Sequence, residues 1–446
     1  MPDSALPSVC VVGAGLAGSE AAWQVARRGR AVDLYEMRPE RGTPVHKTGD
    51  FAELVCSNTF KSNLLDTATG LLKEEMRRCG SLILKVADET RIPAGSALAV
   101  DRERFARKVT EALEAVPRIR VHREEMPAIP KEGIVILAAG PLVSESLFAD
   151  IGRFTGRDYL YFFDAVSPII EADSIDLSKV FRASRYGKGD DDYLNCPMDE
   201  EIYNRFIDAI LAAAQAPRLH NEKTGFFEGC LPIEEMARRG RDTLRFGPLK
   251  PVGLVDPATG QRPHAVVQLR QDNAAAGHFN MVGFQNSLRW GDQERIFRMI
   301  PGLEKASFVR LGMIHRNSYI NAPAVLLPTF QARRRKDLFF AGQVSGVEGY
   351  LESAASGLIA GINAARLADG ADAIPFPPTT ALGCLGRYIS GAEAEGYQPA
   401  NMAFGLLPPL APHVRDKRRR HDLLVRRALD DLGSFQKEPS PVGAPR

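Results

Sequence analysis

A glycine-rich turn near the beginning of the chain has the residue types and spacing that cradle the diphosphate of a dinucleotide. In a G-x-G-x-x-G turn the first glycine allows a tight bend, the second lets backbone N–H groups approach a pyrophosphate, and the third lets a helix pack closely on a strand. Glu36, about twenty residues further on, is placed to accept hydrogen bonds from ribose hydroxyls. A glycine turn without a ligand is the alternative, and the flanking elements argue against it. The residues of the turn are Gly13, Ala14, Gly15, Leu16, Ala17 and Gly18.

Six cysteines could supply thiol chemistry, and their surroundings differ. No two form a C-x-x-C pair and no spacing matches a zinc site, so we expect no metal and reduced thiols in the cytosol. Most such thiols only pack in the interior. Cys56 in ELVCSN and Cys230 in FFEGCLPIEE lie among polar and small residues, as a reactive thiol should, whereas Cys10 lies inside an apolar run. The others are Cys79, Cys196 and Cys384, and we expect a structural role for Cys196.

The elements around the glycine turn predict a β-α-β unit. An apolar run at Val9–Val12 indicates a buried strand, and Ser19–Arg28 has a helical pattern. Ala31–Tyr35 indicates a second strand, which delivers Glu36 at its end. Such a unit is typical of α/β proteins with a Rossmann-like parallel sheet. Further helices are expected at Leu71–Arg78, Arg102–Ala115 and Ser353–Leu367, and further strands at Arg118–His122, Gly133–Ala138 and Leu338–Ala341.

The second half of the chain favours FAD over NAD as the dinucleotide. Ile134–Gly140 (IVILAAG) resembles the strand and glycine element of two-dinucleotide flavoproteins. Asp337–Gly342 (DLFFAG) resembles their late flavin motif, in which the aspartate faces the ribityl phosphate side. An NAD dehydrogenase would not need this late return of the chain to the nucleotide-binding domain. We therefore expect an FAD-binding domain of the glutathione-reductase type.

Changes in composition along the chain divide it into an FAD-binding domain and an insertion. The stretch from about 192 to 272 is rich in charge, proline and aromatic residues and predicts a mixed α/β insertion domain. We expect the FAD-binding domain to comprise 1–191 and 273–370, and 371–446 to form a helical annex with a basic tail. No apolar stretch of about 18 residues indicates a membrane span, and the N-terminus has no secretory pattern.

Basic residues are concentrated late in the chain, although the net charge is only +2. The densest runs are Arg333–Lys336, Arg415–Arg420 and Arg426-Arg427. Such runs are most often a solvated face or a loose tail, and the alternative is a patch that contacts nucleic-acid phosphates. The charge pattern alone does not choose between the two.

Long sequence blocks, spread from about Val9 to Leu407, carry a specific resemblance. They include GAGLAGSEAAW (Gly13–Trp23), EMRP (Glu36–Pro39), FAELVCSN (Phe51–Asn58), IPAGSALAVDR (Ile92–Arg102), FEGCLPIEEMARRG (Phe227–Gly240), AVVQLRQ (Ala265–Gln271), HRNSYINAP (His315–Pro323) and GVEGYLESAASG (Gly346–Gly357). Together they resemble TrmFO, the family of folate- and FAD-dependent tRNA (uracil-5-)-methyltransferases. The related MnmG family shares the nucleotide-binding plan but carries a long C-terminal helical extension, for which a chain of 446 residues is too short.

The resemblance implies transfer of a one-carbon unit from 5,10-methylenetetrahydrofolate to C5 of the T-loop uridine, position 54 of tRNA. Reduced FAD would donate the electrons, and NADH or NADPH would reduce the flavin again. Uracil C5 is a poor nucleophile, so the chemistry needs a thiolate that adds to C6 and a base that removes the C5 proton. Cys230 matches the family's uracil-attacking cysteine. Cys56 matches a second essential cysteine, which removes the C5 proton or holds an intermediate.

The resemblance also implies the residues that bind the cofactor and the folate. His315, in HRNSYINAP, would stack its ring on the pterin, and a hydrogen-bonded structural histidine is the alternative. Glu348 and Glu352 are both candidates for hydrogen bonds to flavin or pterin. Arg418–Arg420 lie beyond the matched blocks, so the resemblance leaves their role in RNA binding open. The expected FAD-binding residues are Gly13, Ala14, Gly15, Leu16, Ala17, Gly18, Glu36, Arg38, Gly140, Asp337, Gly342, Gly349 and Glu352.

Two other functions remain open at the level of the sequence. A small-molecule oxidoreductase of the same fold would explain the flavin motifs but would leave both cysteine blocks and the basic runs without a role. A flavin-stabilised RNA-binding protein without catalysis would tolerate the loss of both cysteines. Salt-sensitive tRNA binding separates the oxidoreductase from the other two functions. With the methyltransferase we expect a cytoplasmic monomer that binds the T-arm of tRNA and folate, without a membrane or a metal.

Overall fold

The computed structural model describes residues 8–156, 160–188, 190–215, 231–412 and 414–437. The strands are β1 (Val9–Val12), β2 (Val32–Tyr35), β3 (Thr59–Ser62), β4 (Arg91–Ile92), β5 (Ala97–Val100), β6 (Ile119–His122), β7 (Val135–Leu137), β8 (Leu160–Ala165), β9 (Ile169–Glu171), β10 (Phe181–Arg182), β11 (Tyr193–Met198), β12 (Ala265–Gln271), β13 (His278–Met281), β14 (Phe308–Arg310), β15 (Ile314–Tyr319), β16 (Gln331–Ala332) and β17 (Arg335–Phe340). The α-helices are α1 (Leu16–Ala26), α2 (Ala68–Arg78), α3 (Leu82–Glu89), α4 (Arg102–Glu114), α5 (Glu145–Thr155), α6 (Glu200–Ala212), α7 (Ile233–Arg239), α8 (Thr243–Phe246), α9 (Trp290–Phe297), α10 (Ala322–Val325), α11 (Tyr350–Ala368), α12 (Ala381–Gly391) and α13 (Lys417–Lys437).

A six-stranded sheet in the order β16-β17-β7-β1-β2-β6 organises the dinucleotide-binding domain. All neighbours in it are parallel except β16 and β17. The strands β1 and β7 and the segment Leu338–Phe340 of β17 are almost completely buried, as their short apolar runs predict for a sheet covered on both faces. The expected α/β class and Rossmann-like arrangement are confirmed, and all carboxyl ends of the parallel strands meet at one edge.

Helices α1 and α11 pack against each other unusually closely because small residues line their contact. A Cβ atom added to Gly357 would lie 2.1 Å from the carbonyl oxygen of Ala17, and one added to Gly361 would lie 2.7 Å from that of Ala21. At the base of α1, a Cβ atom on Gly18 would lie 1.7 Å from the carbonyl oxygen of Gly13. The third glycine of the turn therefore allows the close packing of helix on strand for which the motif selects it.

The insertion is a separate antiparallel sheet in the order β10-β11-β12-β13-β9-β14. Its own hydrophobic core packs helices α6 and α9 on this sheet, with aromatic rings at the centre. The ring of Phe284 lies 5.6 Å from that of Phe297 in an edge-to-face arrangement and 6.3 Å from that of Phe206. A second core of this kind is what defines a domain of its own.

A two-stranded ribbon of β8 and β15 connects the insertion to the dinucleotide-binding domain. The chain leaves along β8 and returns along β15, and the backbone N–H of Val166 donates to the carbonyl oxygen of Met313 at 2.9 Å just beyond the ribbon. The insertion sheet includes β9, β13 and β14, which lie outside the expected range of 192–272. We therefore propose that the insertion runs from Val166 to Met313.

The C-terminal region adds two helices to the first domain. Thr380 caps the N-terminus of helix α12, because its side chain accepts a hydrogen bond from the N–H of Gly383. Helix α13 buries Leu424, Val425 and Leu432 against the main core, so the basic run at 415–420 leads into an ordered helix and not a loose tail. None of the helices in the described ranges combines the length and apolarity needed to cross a membrane.

Candidate functional site

A cavity of about 340 Å³ opens at the carboxyl edge of the parallel sheet, where ligands bind in folds of this kind. Residues at or just after the ends of β1, β2, β7 and β17 line it, together with the loop before β3 and the first turn of α11. The predicted site residues that line the cavity are Gly13, Gly15, Leu16, Ala17, Glu36, Arg38, Cys56, Gly140, Gly342 and Gly349. The structure thus brings the glycine turn, the acidic residue and one candidate cysteine together.

The glycine turn leaves open space where a diphosphate would lie. Gly13 has φ of +96°, a left-handed conformation that favours glycine, and a side chain there would collide with Ala138. Cβ atoms added to Gly15 and Gly140 would meet nothing within 4 Å. The N-terminus of α1 begins at this gap, so its unpaired backbone N–H groups and its dipole face the cavity. The residues present fit the pyrophosphate of a dinucleotide.

Glu36 is held as a charged, buried carboxylate at the end of β2. Its oxygens accept hydrogen bonds from the backbone N–H of Ala14 at 2.9 Å, and from the backbone N–H and Nε of Arg38 at 3.0 and 2.9 Å. Burial alone would raise the pKa of Glu36, but the attraction of Arg38 and these hydrogen bonds outweigh it and hold the pKa below its usual range. Arg38 also pairs with Glu53 at 3.2 Å, so the guanidinium group that binds Glu36 is itself held in place.

Asp337 and Glu352 are two predicted cofactor residues that do not line the cavity. The residue order along β17 places Asp337 before the paired segment Leu338–Phe340, away from the carboxyl edge, and its carboxylate binds Arg335 at 2.9 Å. Glu352 is fully buried and accepts from the N–H of Met402. Its partner Lys61, at 3.4 Å, does line the cavity, so Glu352 reaches the site only through that lysine. Ala14 and Gly18 also lie behind the cavity wall, where they support the turn.

Tyr350 holds the backbone of the candidate cysteine at the cavity. The backbone N–H groups of Cys56 and Ser57 donate to the hydroxyl oxygen of Tyr350, at 2.7 and 3.3 Å. Tyr350 is the first residue of α11, directly after Gly349, and both line the cavity. Burial, followed by the charge of Cys56, raises the pKa of Tyr350, so its hydroxyl stays protonated.

Arginines from the insertion and from α4 hold the other side of the same loop. Arg310, on β14, donates to the carbonyl oxygens of Val55 at 2.7 Å and Cys56 at 3.2 Å. Arg102, at the start of α4, donates to the carbonyl oxygen of Leu54. Burial and then repulsion by Arg102 lower the pKa of Arg310 to about 10, so Arg310 remains charged at neutral pH. The loop of Cys56 therefore lies in a positively charged environment.

Asp272 compensates part of this buried positive charge. It forms a two-pronged ion pair with Arg102, with distances of 2.9 and 3.3 Å. Burial alone would raise the pKa of Asp272, but the attraction of Arg102 and the hydrogen bonds with it, together with Arg310 and Arg270, hold it below its usual range. Arg270 donates to the side chains of Ser57 at 2.8 Å and Asn58 at 2.9 Å.

Cys230 lies outside the described residues, and so does the side chain of His315. The described chain resumes at Leu231, and the N–H of Ile233 donates to the carbonyl oxygen of Gln285 at 2.9 Å. Gln285 lines the cavity, so the segment that follows Cys230 is tied to the cavity wall. The backbone of His315 pairs with Asp164 in the ribbon.

The remaining cysteines have the character of packing residues. Burial raises the pKa values of the thiols of Cys10, Cys79 and Cys384 to about 12. Burial also raises the pKa of Cys196, which is completely buried in β11. Thiols of this kind stay protonated and unreactive. Among the described residues, no three His, Cys, Asp or Glu side chains cluster as a metal site.

Several residues around the cavity were not selected from the sequence. Arg270 and Asp272 flank the end of the buried strand β12, and charges at the end of an apolar run are a signal that could have identified them. Arg310 follows no recognisable motif. Tyr350 lies in the block GVEGYLESAASG, where its position directly before a predicted helix indicates a site at a helix N-terminus.

Comparisons with known proteins agree with this geometry. The model of the family described as glucose inhibited division protein A matches residues 8–372. A relative from Pelotomaculum thermopropionicum, a methylenetetrahydrofolate--tRNA-(uracil-5-)-methyltransferase TrmFO, is 57% identical over 96% of this chain and 98% of its own. A relative of the same name from Enterococcus faecalis is 58% identical over 95% of this chain and 97% of its own. The solved structure of Aquifex aeolicus GidA is similar in fold, with a TM-score of 0.70 and 18% identity over 98% of this chain and 77% of that chain.

Proposed function

The chain belongs to the glucose inhibited division protein A family and, within it, to the TrmFO methyltransferases, and on this premise we propose that it methylates C5 of the T-loop uridine at position 54 of tRNA. The one-carbon unit comes from methylenetetrahydrofolate. NADH or NADPH is the reductant. With tRNA as substrate, we place the enzyme in the cytoplasm and expect it to act as a monomer on the T-arm.

The glycine turn and Glu36 hold FAD. The N-terminus of α1, with Gly15 and Gly140 opposite, binds the pyrophosphate, and the Glu36 carboxylate binds the ribose hydroxyls. FAD supplies, when bound, the electrons that reduce the transferred methylene to a methyl group. Gly342, after β17, and Gly349, directly before α11, would let the flavin ring approach the backbone, and the helix dipole at the N-terminus of α11 would favour negative charge on the ring. Asp337 has no part in this proposal because its side chain is bound to Arg335.

Glu348 and His315 are the residues we assign to the folate. Glu348 lines the cavity and accepts from Nε2 of Gln343 at 2.6 Å, whereas Glu352 does not line it. Glu348 is therefore the carboxylate that binds polar groups of the pterin or of the flavin. His315 stacks its ring on the pterin from the ribbon that joins the two domains.

We assign a different step of the reaction to each of two cysteines. The thiolate of Cys230 adds to C6 of uracil, which makes C5 nucleophilic. For this the base is extruded from its loop to reach the cavity. After C5 has accepted the one-carbon unit from the folate, Cys56 takes the C5 proton, and Cys230 leaves C6 once the methylene has been reduced to a methyl group, so that the C5–C6 double bond is restored. The guanidinium groups of Arg102 and Arg310 donate to carbonyl oxygens of the Cys56 loop and place positive charge beside it. The observation that carries the proposal is this joint placement of Cys56 and the dinucleotide turn in one cavity.

A direct assay tests the function. We would incubate the FAD-loaded protein with unmethylated tRNA transcript, methylenetetrahydrofolate and NAD(P)H, and quantify 5-methyluridine by mass spectrometry. We expect methylation by the wild type, none by Cys56→Ala or Cys230→Ala, and near-normal methylation by Cys79→Ala, which removes a buried thiol that does not line the cavity. Oxidation of NAD(P)H by the wild type without methylation would instead indicate a small-molecule oxidoreductase. Methylation by both active-site variants would remove the assigned roles of the cysteines.

A further inference from the structure

We propose that an open groove beside the first turn of α13 binds the sugar-phosphate backbone of the tRNA, an inference that rests on the proposed function. The groove has a volume of about 890 Å³. Three cations line it, Lys188 from the insertion and Lys417 and Arg418 from α13, with His421 one turn further along the helix. We call it the α13 groove.

The cations of the α13 groove are available to an external anion. Lys417 and Arg418 are exposed, and neither forms an ion pair with a described residue. The carboxylate of Asp416 is occupied, because it caps α13 by accepting from the N–H of Arg419 at 2.7 Å. Lys188, Lys417 and Arg418 outnumber Asp66 and Asp416, the two acidic residues that line the groove. The run 415–420 adds further positive charge, since it holds five basic residues and one acidic residue. Clustered Lys and Arg side chains of this kind are the electrostatic footprint of a nucleic-acid site.

The insertion adds Lys250 and the exposed ring of Tyr186 to this surface. Tyr186, two residues before Lys188, is 57% exposed. Nζ of Lys250 lies 5.9 Å from the centre of its ring. An exposed aromatic side chain between two lysines can stack on an unpaired base while the lysines contact phosphates. Single-stranded or looped RNA fits such a surface better than an acidic protein, which has no bases to stack.

The α13 groove is connected to the cavity through β3. Lys61 lines the cavity, and Leu64 lines the groove three residues later. Three residues of extended chain span at most about 11 Å. A backbone held in the groove therefore lies beside the cavity into which an extruded uracil must enter. Gly95 and Lys188 meet at another wall of the groove. A Cβ atom on Gly95 would lie 2.8 Å from the carbonyl oxygen of Lys188, so glycine allows the insertion to pack closely here.

Charge reversal tests the groove. We would compare Lys417→Glu/Arg418→Glu with the control Lys131→Glu/Arg118→Glu, which makes the same change in net charge at exposed positions lining neither the cavity nor the groove. The measurement is the Kd of each FAD-loaded protein for tRNA transcript at several salt concentrations. We expect the groove variant to bind at least tenfold more weakly at low salt, with a slope of log Kd against log salt reduced by about two. The control should stay within twofold of wild type.

Flavin reduction and methylation complete the design. NAD(P)H should reduce the flavin of the groove variant at the wild-type rate, and saturating tRNA should restore methylation, because the change raises KM and leaves the cavity intact. Wild-type affinity and salt slope in the groove variant would refute the proposal that the groove binds tRNA, but they would not contradict the proposed methyltransferase function. Equal weakening in both double variants would also refute binding in the groove, since only overall charge would then matter. A wild type that neither binds nor methylates tRNA would refute the proposed function itself.

Discussion

Arg310 donates a hydrogen bond to the carbonyl oxygen of Cys56 at 3.2 Å, so a strand of the insertion holds the loop that carries the candidate catalytic cysteine. The two residues belong to different domains and come together only in the folded chain. The same loop is held from the opposite side by Tyr350. The position of the cysteine in the cavity therefore depends on both domains at once.

Arg310→Ala should reduce the rate of methylation at least tenfold while FAD remains bound. Removing the guanidinium leaves the carbonyl oxygens of Val55 and Cys56 without their donor, and hydrogen bonds from a charged group contribute about 1.5–3 kcal/mol each. Arg310→Lys should recover part of the rate. Single-turnover methylation measures the effect. Arg298→Ala is the control and should keep the wild-type rate, because Arg298 binds the carbonyl oxygen of Ala306 and pairs with Glu294 without contacting the Cys56 loop. Equal losses in both variants would contradict a positioning role.

Glu36→Gln should weaken FAD binding by a factor of about 10–100, because the ribose hydroxyls lose a charged acceptor worth about 1.5–3 kcal/mol. Asp337→Asn should leave FAD binding unchanged, since the Asp337 carboxylate is bound to Arg335 away from the cavity. Flavin retained after extensive dialysis, followed by titration of the apoprotein with FAD, measures both. Loss of flavin from Asp337→Asn would restore that residue to the cofactor site.

Asp272→Asn should lower the free energy of unfolding by about 3 kcal/mol at neutral pH, because buried Arg102 loses its partner. The folded-state pKa of Asp272 is depressed, so its contribution is complete above the unfolded pKa of about 3.9 and disappears as the pH falls through the lower folded value. The difference between variant and wild type should therefore shrink in acid. Denaturant titrations at several pH values measure it. Asp208→Asn, at an exposed ion pair with Arg241, should show no measurable loss at any pH.

Gly357→Ala should destabilise the protein by about 2–4 kcal/mol and weaken FAD binding. The added methyl group would lie 2.1 Å from the carbonyl oxygen of Ala17, and Ala17 lines the cavity. Gly433→Ala, in the C-terminal part of α13 with nothing within 4 Å, should instead stabilise by about 0.5–1 kcal/mol through helix propensity. Thermal unfolding of the two variants should shift in opposite directions. Equal shifts would show that the contact of α1 with α11 is not tight.

The local motifs at the cavity could be predicted because their function is set by residues close together in the chain. The turn from Gly13 to Gly18, the strand before it and Glu36 after the next strand lie within one β-α-β unit, so spacing alone describes their geometry. Helix ends were also close: α11 begins three residues before the predicted Ser353, and α2 begins three residues before Leu71.

The rest depends on contacts between distant segments. Arg270 and Arg310 reach the loop of Cys56 from strands of another domain, and no local pattern indicates that contact. Asp337 was predicted to bind the cofactor because the sequence around it resembles a flavin motif. Only the register of β17 against β7 shows that Asp337 precedes the paired segment and so lies away from the carboxyl edge of the sheet. The bounds that we propose for the insertion are wider than the expected 192–272, because β9 and β14 join its sheet from both flanks of that range.

The paired strands β8 and β15 have a consequence for how the chain assembles. Strands β7 and β17 are neighbours in the parallel sheet, yet the entire insertion separates them in sequence. Once the insertion has folded around its own core, the ribbon holds its two ends side by side, and the chain between β7 and β17 behaves as a short connection. The entropic cost of closing that loop is then already met when the sheet forms. If the insertion folds first, the loop that must close to pair β7 with β17 is therefore much shorter than their separation in sequence, and this pairing can form faster than that separation alone would allow.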